Sequence, residues 1–380
     1  MKKHYTFFAL LVALTGFAQI PAGYYNNATG TGYTLKTQLK TIITNGHNPQ
    51  SYNSLWNLYD ASLRDNFYEN DNTILDIYSE NPLGPDPYNY QNTGDQCGNY
   101  NAEGDCYNKE HLIPKSYFND QLPMYSDAHH VVPSDGKVNG WRDNLPFGVV
   151  AGTAAGICNG GATNTPCHSL NNSKLGNNLD AGYSAGFSGK VFEPIDEFKG
   201  DIARTYFYFA TRYQDQMAGF YADAPSSTEV VAMFDGSANK VFSTTFLNIL
   251  LTWSTMDPVS AKEIAFNNAI YNFQGNRNPY IDHPEYVQAV WGLPLLVEEY
   301  NPLAGITAFP NPSNDHSITI SGAETLDEIL LINVNGQLMQ QIKNPALTDG
   351  AFTLQNLPQG FFLLKLTSGQ GSITKKIVVN

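Results

Sequence analysis

The chain has 380 residues, 42% hydrophobic and 13% aromatic, which supports a packed core and excludes a disordered chain. That length accommodates two domains, a large one and a small one. A formal net charge of −14 excludes whole-surface attraction to a polyanion, since such affinity comes from Lys and Arg; any nucleic-acid contact must come from a local site or a bound cation.

Residues 1–18 read as an export signal. Met1-Lys2-Lys3-His4 is basic, Phe7 to Leu14 is apolar, and Gly16 and Ala18 are small residues placed for cleavage before Gln19. The apolar run is shorter than the ~20 residues a membrane span needs, and no other segment approaches that length. The expectation is a monomer without a membrane span, exported through the periplasm and secreted or held at the cell surface.

Apolar residues at helical spacing predict helices over Leu35–Ile43 and Ser54–Leu63. Residues 65–103 are rich in Asn, Asp, Tyr, Gly and Pro and read as loop, with a short strand at Thr73–Tyr78. Gly148–Gly189 reads as a second long loop. Helices return at Asp201–Met217, Lys240–Trp253 and Val259–Phe273, the last with Asp257-Pro258 suited to its N-cap and first turn. Gln274–Pro284 interrupts that helix, and a short helix through Val287 and Val290 follows.

Export permits disulfides. Cys97/Cys106 and Cys158/Cys167 form two close pairs, and although four cysteines allow three connectivities, local bridging is the most economical. A zinc site is the alternative, but the spacing lacks Cys-x₂₋₄-Cys couples.

Catalytic residue types concentrate between Cys106 and Phe147. Glu110-His111 is followed 29 positions after Glu110 by Asn139, with Arg142 three residues further on. Phosphodiester hydrolysis needs a proton acceptor for water, charge compensation on the phosphate and help for the departing oxygen. A histidine suits the first task. A hard cation such as Mg²⁺ suits the other two, and it takes few protein oxygens, of the kind Glu110 and Asn139 carry. Adjacent strand residues point to opposite faces, so Glu110 and His111 serve one site only if the strand ends or bends there, as Pro114 encourages. One turn beyond Asn139, Arg142 is placed to hold a phosphate oxygen. Lys115, His129, His130, Asn144 and Arg204 are candidates for support or substrate contact. Asp127 reads as an orienting group, and Glu193, Asp201 and Arg204 as a buried pairing network.

The runs Asn108–Ser116, Asp127-x-His129-His130-x-x-Pro133 and Val138-Asn139-x-x-Arg142-x-Asn144 resemble the endonuclease I family, whose members are secreted or periplasmic nucleases with a ββα-metal core. Phe192-Glu193-Pro194, Lys199–Arg204 and Gln274–Pro284 extend the likeness over residues 30–295. The resemblance implies His111 as general base and Glu110 and Asn139 as ligands of Mg²⁺, with Mn²⁺ or Ca²⁺ as alternatives. It also implies DNA as substrate, with RNA as a second one, cut at low sequence specificity. No Arg lies between Pro114 and Asp127, so the family's phosphate-binding arginine has no counterpart there and that task passes to Arg142 or Lys115.

Past Tyr300 strand-length apolar runs take over, with Asn335-Gly336 as a hairpin turn. Phe309-Pro310-Asn311-Pro312, Gly360–Leu366 and Lys375–Val379 together resemble a type IX secretion sorting domain, which implies the type IX machinery as a partner. The expected class is therefore α+β: residues 19–300 form a largely helical endonuclease I-like domain with an embedded ββα-metal motif, and residues 301–380 a small all-β sandwich. Two other readings are a non-catalytic surface adhesin on the same fold and a metallohydrolase of another phosphoester.

Overall fold

This computed structural model describes residues 20–223, 229–292, 305–322, 325–333, 337–368 and 371–380. The leader at 1–18 and the Asn335-Gly336 turn lie outside the described residues. The chain divides into two compact units, Met1–Leu293 and Pro294–Asn380.

The first unit mixes helices with short sheets. Helix α1 (Gly32–Thr44) buries Leu35, Leu39 and Ile43, four residues apart, and α2 (Leu55–Ser62) buries Leu55, Leu58 and Tyr59. An antiparallel pair follows, β1 (Tyr107–His111) with β2 (Val131–Asp135), in register from Tyr107 opposite Asp135 to His111 opposite Val131. Helix α3 (Gly136–Arg142) starts directly after β2, capped by the Asp135 carboxylate, which accepts from the Val138 amide at 2.8 Å. The sequence β1–loop–β2–α3 is the ββα unit expected.

Strands β3 (Cys167–His168), β4 (Lys174–Asn177) and β5 (Lys190–Glu193) make a three-stranded sheet. The stretch read as one long loop thus contains two strands. Helix α4 (Lys199–Arg212) is buried on nearly every side, as expected of a helix at the centre of a core. Around it lie α5 (Met217–Ala222), α6 (Glu229–Met233), α7 (Thr244–Met256), α8 (Ala261–Gln274), α9 (Pro279–Asp282) and α10 (Glu285–Val290). The cap of α8 is Ser260, in a reciprocal box with Glu263, rather than Asp257. Both disulfides close locally, Cys97–Cys106 with Cα atoms 5.5 Å apart and Cys158–Cys167 at 5.0 Å.

The strand expected at Thr73–Tyr78 is absent; only Ile74 bridges, to Arg64. Asp76 redirects the chain there. Its carboxylate accepts from the Tyr78 amide at 2.8 Å, and its carbonyl from the Ser79 and Glu80 amides. Local bonding of this kind competes with a sheet ladder.

In the second unit, β6 (Thr307–Phe309), β7 (Ile318–Ser321) and β10 (Ala351–Leu354) form one sheet. The other consists of β8 (Glu328–Asn333), β9 (Leu338–Lys343), β11 (Gly360–Ser368) and β12 (Gly371–Val379). Ile318, Ile320 and Leu354 from the first sheet pack with Ile329, Leu331, Leu364 and Leu366 from the second in one apolar core, which makes a sandwich.

Candidate active site

Strand alternation sorts the motif. Asn108 and Glu110 face α3, whereas Lys109 and His111 face the aromatic residues at the start of α2. The chain bends at Leu112 immediately after β1, although Glu110 and His111 are both still in register with β2.

Glu110 is buried. Its Oε1 accepts from the Tyr78 phenol at 2.9 Å and lies 3.2 Å from Arg142 Nη1. Burial pushes its carboxyl up to about 7, against the opposing pull of Arg142 and the Tyr78 hydroxyl. Asn139, half-buried on α3, donates Nδ2 to Asn108 Oδ1 at 2.7 Å, and Ser134 Oγ donates to the same oxygen at 3.2 Å. With its nitrogen engaged, the amide turns Oδ1 away from Asn108.

His111 Nε2 bonds the Tyr125 carbonyl at 3.0 Å. A carbonyl only accepts, so Nε2 carries the proton and Nδ1 keeps its lone pair. The imidazole lies nearly parallel to Tyr125 and Tyr52, with centroids 5.3 and 5.7 Å away. Burial lowers its pKa to about 3, helped by His130, and this leaves the ring neutral near pH 7.

Glu110 Oε2, Asn139 Oδ1 and His111 Nδ1 have no hydrogen-bond partner among the described residues, yet none belongs to the fully enclosed unpartnered polar atoms. A carboxylate oxygen and an amide oxygen with open lone pairs are hard donors suited to a divalent cation that keeps several waters. The residues fit the expected ion.

Arg142 departs from expectation. It is 1% exposed, and its guanidinium donates to the carbonyls of His111, Asp143 and Leu112 at 3.1, 3.1 and 2.7 Å while stacking on Phe147. It is a support under Glu110 and cannot face a phosphate. Lys115 is exposed, 3.4 Å from Asp120, and close enough to His111 to help depress its pKa.

His129 and His130 are buried and bond the carbonyls of Asn276 (3.1 Å) and Met124 (2.6 Å). Asp127 accepts from Tyr208, Tyr213, Gln274 and the His129 amide at 2.7–3.1 Å. Burial raises its carboxyl, but the facing imidazoles and Gln274 outweigh this and hold it well below the usual range. It therefore orients the loop between β1 and β2. Asn144 contributes its carbonyl to the Tyr117 phenol at 3.2 Å. Arg204 is enclosed in a bidentate pair with Glu263 at 2.5 and 2.7 Å, with Asp201 at 3.5 Å. Glu193, expected in that network, pairs with Lys199 at 2.8 Å instead.

Sequence reasoning missed Tyr78, which holds Glu110, and Tyr52 and Tyr125, which flank His111. It also passed over Lys109, whose ammonium lies 3.7 Å from the Trp56 ring and 4.1 Å from that of Tyr52. Nothing in the chain distinguishes these tyrosines from the other twenty (23 in all).

Comparison with known proteins decides the family. Residues 31–285 match the model of Endonuclease I, and residues 307–380 that of the secretion system C-terminal sorting domain. The chain belongs to the Endonuclease I family. It is 33% identical over 272 residues to the extracellular ribonuclease of Bacillus amyloliquefaciens, covering 70% of this chain and 78% of that one. With the extracellular ribonuclease of Bacillus subtilis (strain 168) it shares 31% over 275 residues, with the same coverage. Endonuclease-1 of Buchnera aphidicola matches at 25% over 158 residues, covering 41% of this chain and 44% of that protein. This member of the Endonuclease I family is thus a nuclease, and its type IX sorting domain marks it for secretion or the cell surface. No helix among the described residues is long and apolar enough to cross a membrane.

Proposed function

We propose that this chain is a divalent-metal-dependent endonuclease that hydrolyses phosphodiester bonds of DNA and RNA with little sequence preference. His111 is its general base, and Glu110 and Asn139 hold one Mg²⁺. The observation carrying this reading is that Glu110 Oε2, Asn139 Oδ1 and His111 Nδ1 keep open lone pairs, while the other polar atom of each side chain is held by Tyr78 and Arg142, by Asn108 and by the Tyr125 carbonyl respectively.

His111 takes a proton at Nδ1, and the Tyr125 carbonyl at Nε2 stabilises the positive charge that results. Tyr52 and Tyr125 restrict the ring's rotation. Asn108 aims the Asn139 oxygen, and Tyr78 with Arg142 aims the Glu110 carboxylate. Bound there, a divalent cation supplies charge compensation to the phosphate and the departing oxygen. Lys115 is the exposed cation beside the base, and we assign it the phosphate contact.

A base that activates water makes no use of a ribose 2′-hydroxyl, so both sugars are substrates. Contacts to phosphate carry no base information, which accounts for low specificity. The names of the Bacillus relatives support RNA as one substrate. The test is cleavage of supercoiled plasmid and of a folded RNA, each with Mg²⁺, Mn²⁺, Ca²⁺ or EDTA. Both polymers should be cut in Mg²⁺ and spared in EDTA. RNA cleavage through 2′,3′-cyclic ends with intact plasmid would remove water as the nucleophile, and with it the assignment of His111 as the base that activates water.

A further inference from the structure

The loop between α2 and β1 carries carboxylates that the nuclease reading does not use. Asp65, Glu69 and Glu80 each place one carboxylate oxygen within 4.8 Å of one on the other two. Asp65 and Glu80 are both 1% exposed, while Glu69 lies at the surface. Like charges gathered this closely and withdrawn from water repel strongly unless something neutralises them.

Among the described residues that neutralisation is only partial. Glu80 Oε1 is fully enclosed with no hydrogen-bond partner among the described residues, and Asp86 adds further repulsion. The cation that faces Glu80, Lys262, is engaged 2.7 Å from Asp201. Asp65 is already oriented, since its two oxygens accept the amides of Phe67, Tyr68 and Asn70 at 3.0–3.1 Å, yet a carboxylate oxygen so bonded still has a lone pair for a metal. A buried carboxylate with an unpartnered oxygen, lying within 4.8 Å of two other carboxylates, has the donor chemistry of a cation site.

We propose that Asp65, Glu69 and Glu80 form a structural Ca²⁺ site separate from the catalytic pair Glu110 and Asn139. Three carboxylates in one cage suit Ca²⁺, which takes oxygens at about 2.3–2.6 Å and tolerates irregular geometry, whereas Mg²⁺ prefers one or two carboxylates and its own waters. The site has a consequence for the nuclease. Glu80 lies two residues after Tyr78, whose hydroxyl holds Glu110 at 2.9 Å, and a cation tying Glu80 to Asp65 fixes the turn that presents that tyrosine.

The experiment is thermal unfolding of the metal-stripped full chain with and without millimolar CaCl₂, at constant Mg²⁺, joined to calorimetric titration with Ca²⁺. The proteins are wild type, Glu80→Gln, Glu69→Gln and Glu110→Gln. Calcium should raise the melting temperature of wild type and of Glu110→Gln alike, and Glu110→Gln should still bind one Ca²⁺. Glu80→Gln should lose the shift. Glu69→Gln, changed at an exposed position that does not threaten folding, should need about tenfold more Ca²⁺. A wild-type melting temperature indifferent to calcium overturns the site. So does a full calcium response in either Glu69→Gln or Glu80→Gln, or its loss in Glu110→Gln, which would assign the effect to the catalytic ion.

Discussion

Arg142 lies 3.2 Å from Glu110, both side chains are buried, and the arginine's Nη1 and Nη2 also donate to the backbone of residues 111, 112 and 143. The guanidinium therefore fixes at once the carboxylate proposed to hold the metal and the carbonyl of the proposed base. Arg142 belongs to the framework, and the phosphate contact is proposed for the exposed Lys115 instead.

Removing one member of a buried pair leaves the other charge uncompensated. Arg142→Ala is expected to cost about 3–5 kcal/mol of stability, read as a lowered urea midpoint, and to lower kcat because Glu110 and His111 both lose their anchor. If Arg142 touched phosphate instead, the substitution would raise KM for DNA with an unchanged urea midpoint, and that pattern would refute the assignment.

His111→Ala should lower plasmid nicking by about 10²–10⁴-fold, the range ordinarily supplied by a positioned general base. Circular dichroism and the melting profile should stay near wild type, because the ring's one hydrogen bond goes to a loop carbonyl. Added imidazole should restore part of the rate. A variant that nicks at close to the wild-type rate would remove the base from the mechanism.

How much of this was readable beforehand depends on whether the deciding partners are near in sequence. The ββα unit that carries Glu110, His111 and Asn139 was legible because it joins segments only 29 positions apart. The α1, α2 and α4 helices followed from helical spacing of apolar residues, and the sandwich strands from strand-length apolar runs. Arg142 was misread because its position relative to Asn139 gives the helix face but not what covers that face, and the cover is Phe147 and the end of β1. Arg204 was placed in a buried network, but Glu263, 59 positions away, was not foreseen as its partner. At 73–78 a short strand was expected within the loop, and the Asp76 side chain made a turn instead. Tyr78, Tyr52 and Tyr125 acquire their tasks only through tertiary packing, which local pattern does not encode.

Asn108 is a positioning residue with a distinct signature. Its side-chain oxygen accepts from Asn139 at 2.7 Å, so Asn108→Ala frees the amide to rotate. The Mg²⁺ concentration for half-maximal activity should rise about 10–100-fold, the usual cost of losing a group that orients a ligand, while the rate at saturating Mg²⁺ falls much less. Asn108→Asp keeps the accepting oxygen and should recover most of the apparent affinity. Equal loss at all Mg²⁺ concentrations, unrecovered by Asp, would mean a purely structural role.

Lys36, on α1, gives a pH prediction independent of the active site. It is fully buried, donating Nζ to the carbonyls of Ala238 and Asn239 at 2.7 Å each. Burial lowers its pKa from 10.5 to about 7, with Asp235 and Asp215 opposing only in part. Between those values the unfolded chain holds a proton that the folded chain has released, so stability rises with pH across that window. The penalty is full below the folded pKa and vanishes above the unfolded one. Lys36→Met has no such proton, and its stability curve from pH 8 to 10 should be flatter than wild type by up to about 1.4 kcal/mol per pH unit. Denaturant unfolding of both proteins across that range measures the difference. Parallel curves would mean that the buried amine stays charged, its two carbonyl partners and two aspartates outweighing the loss of water.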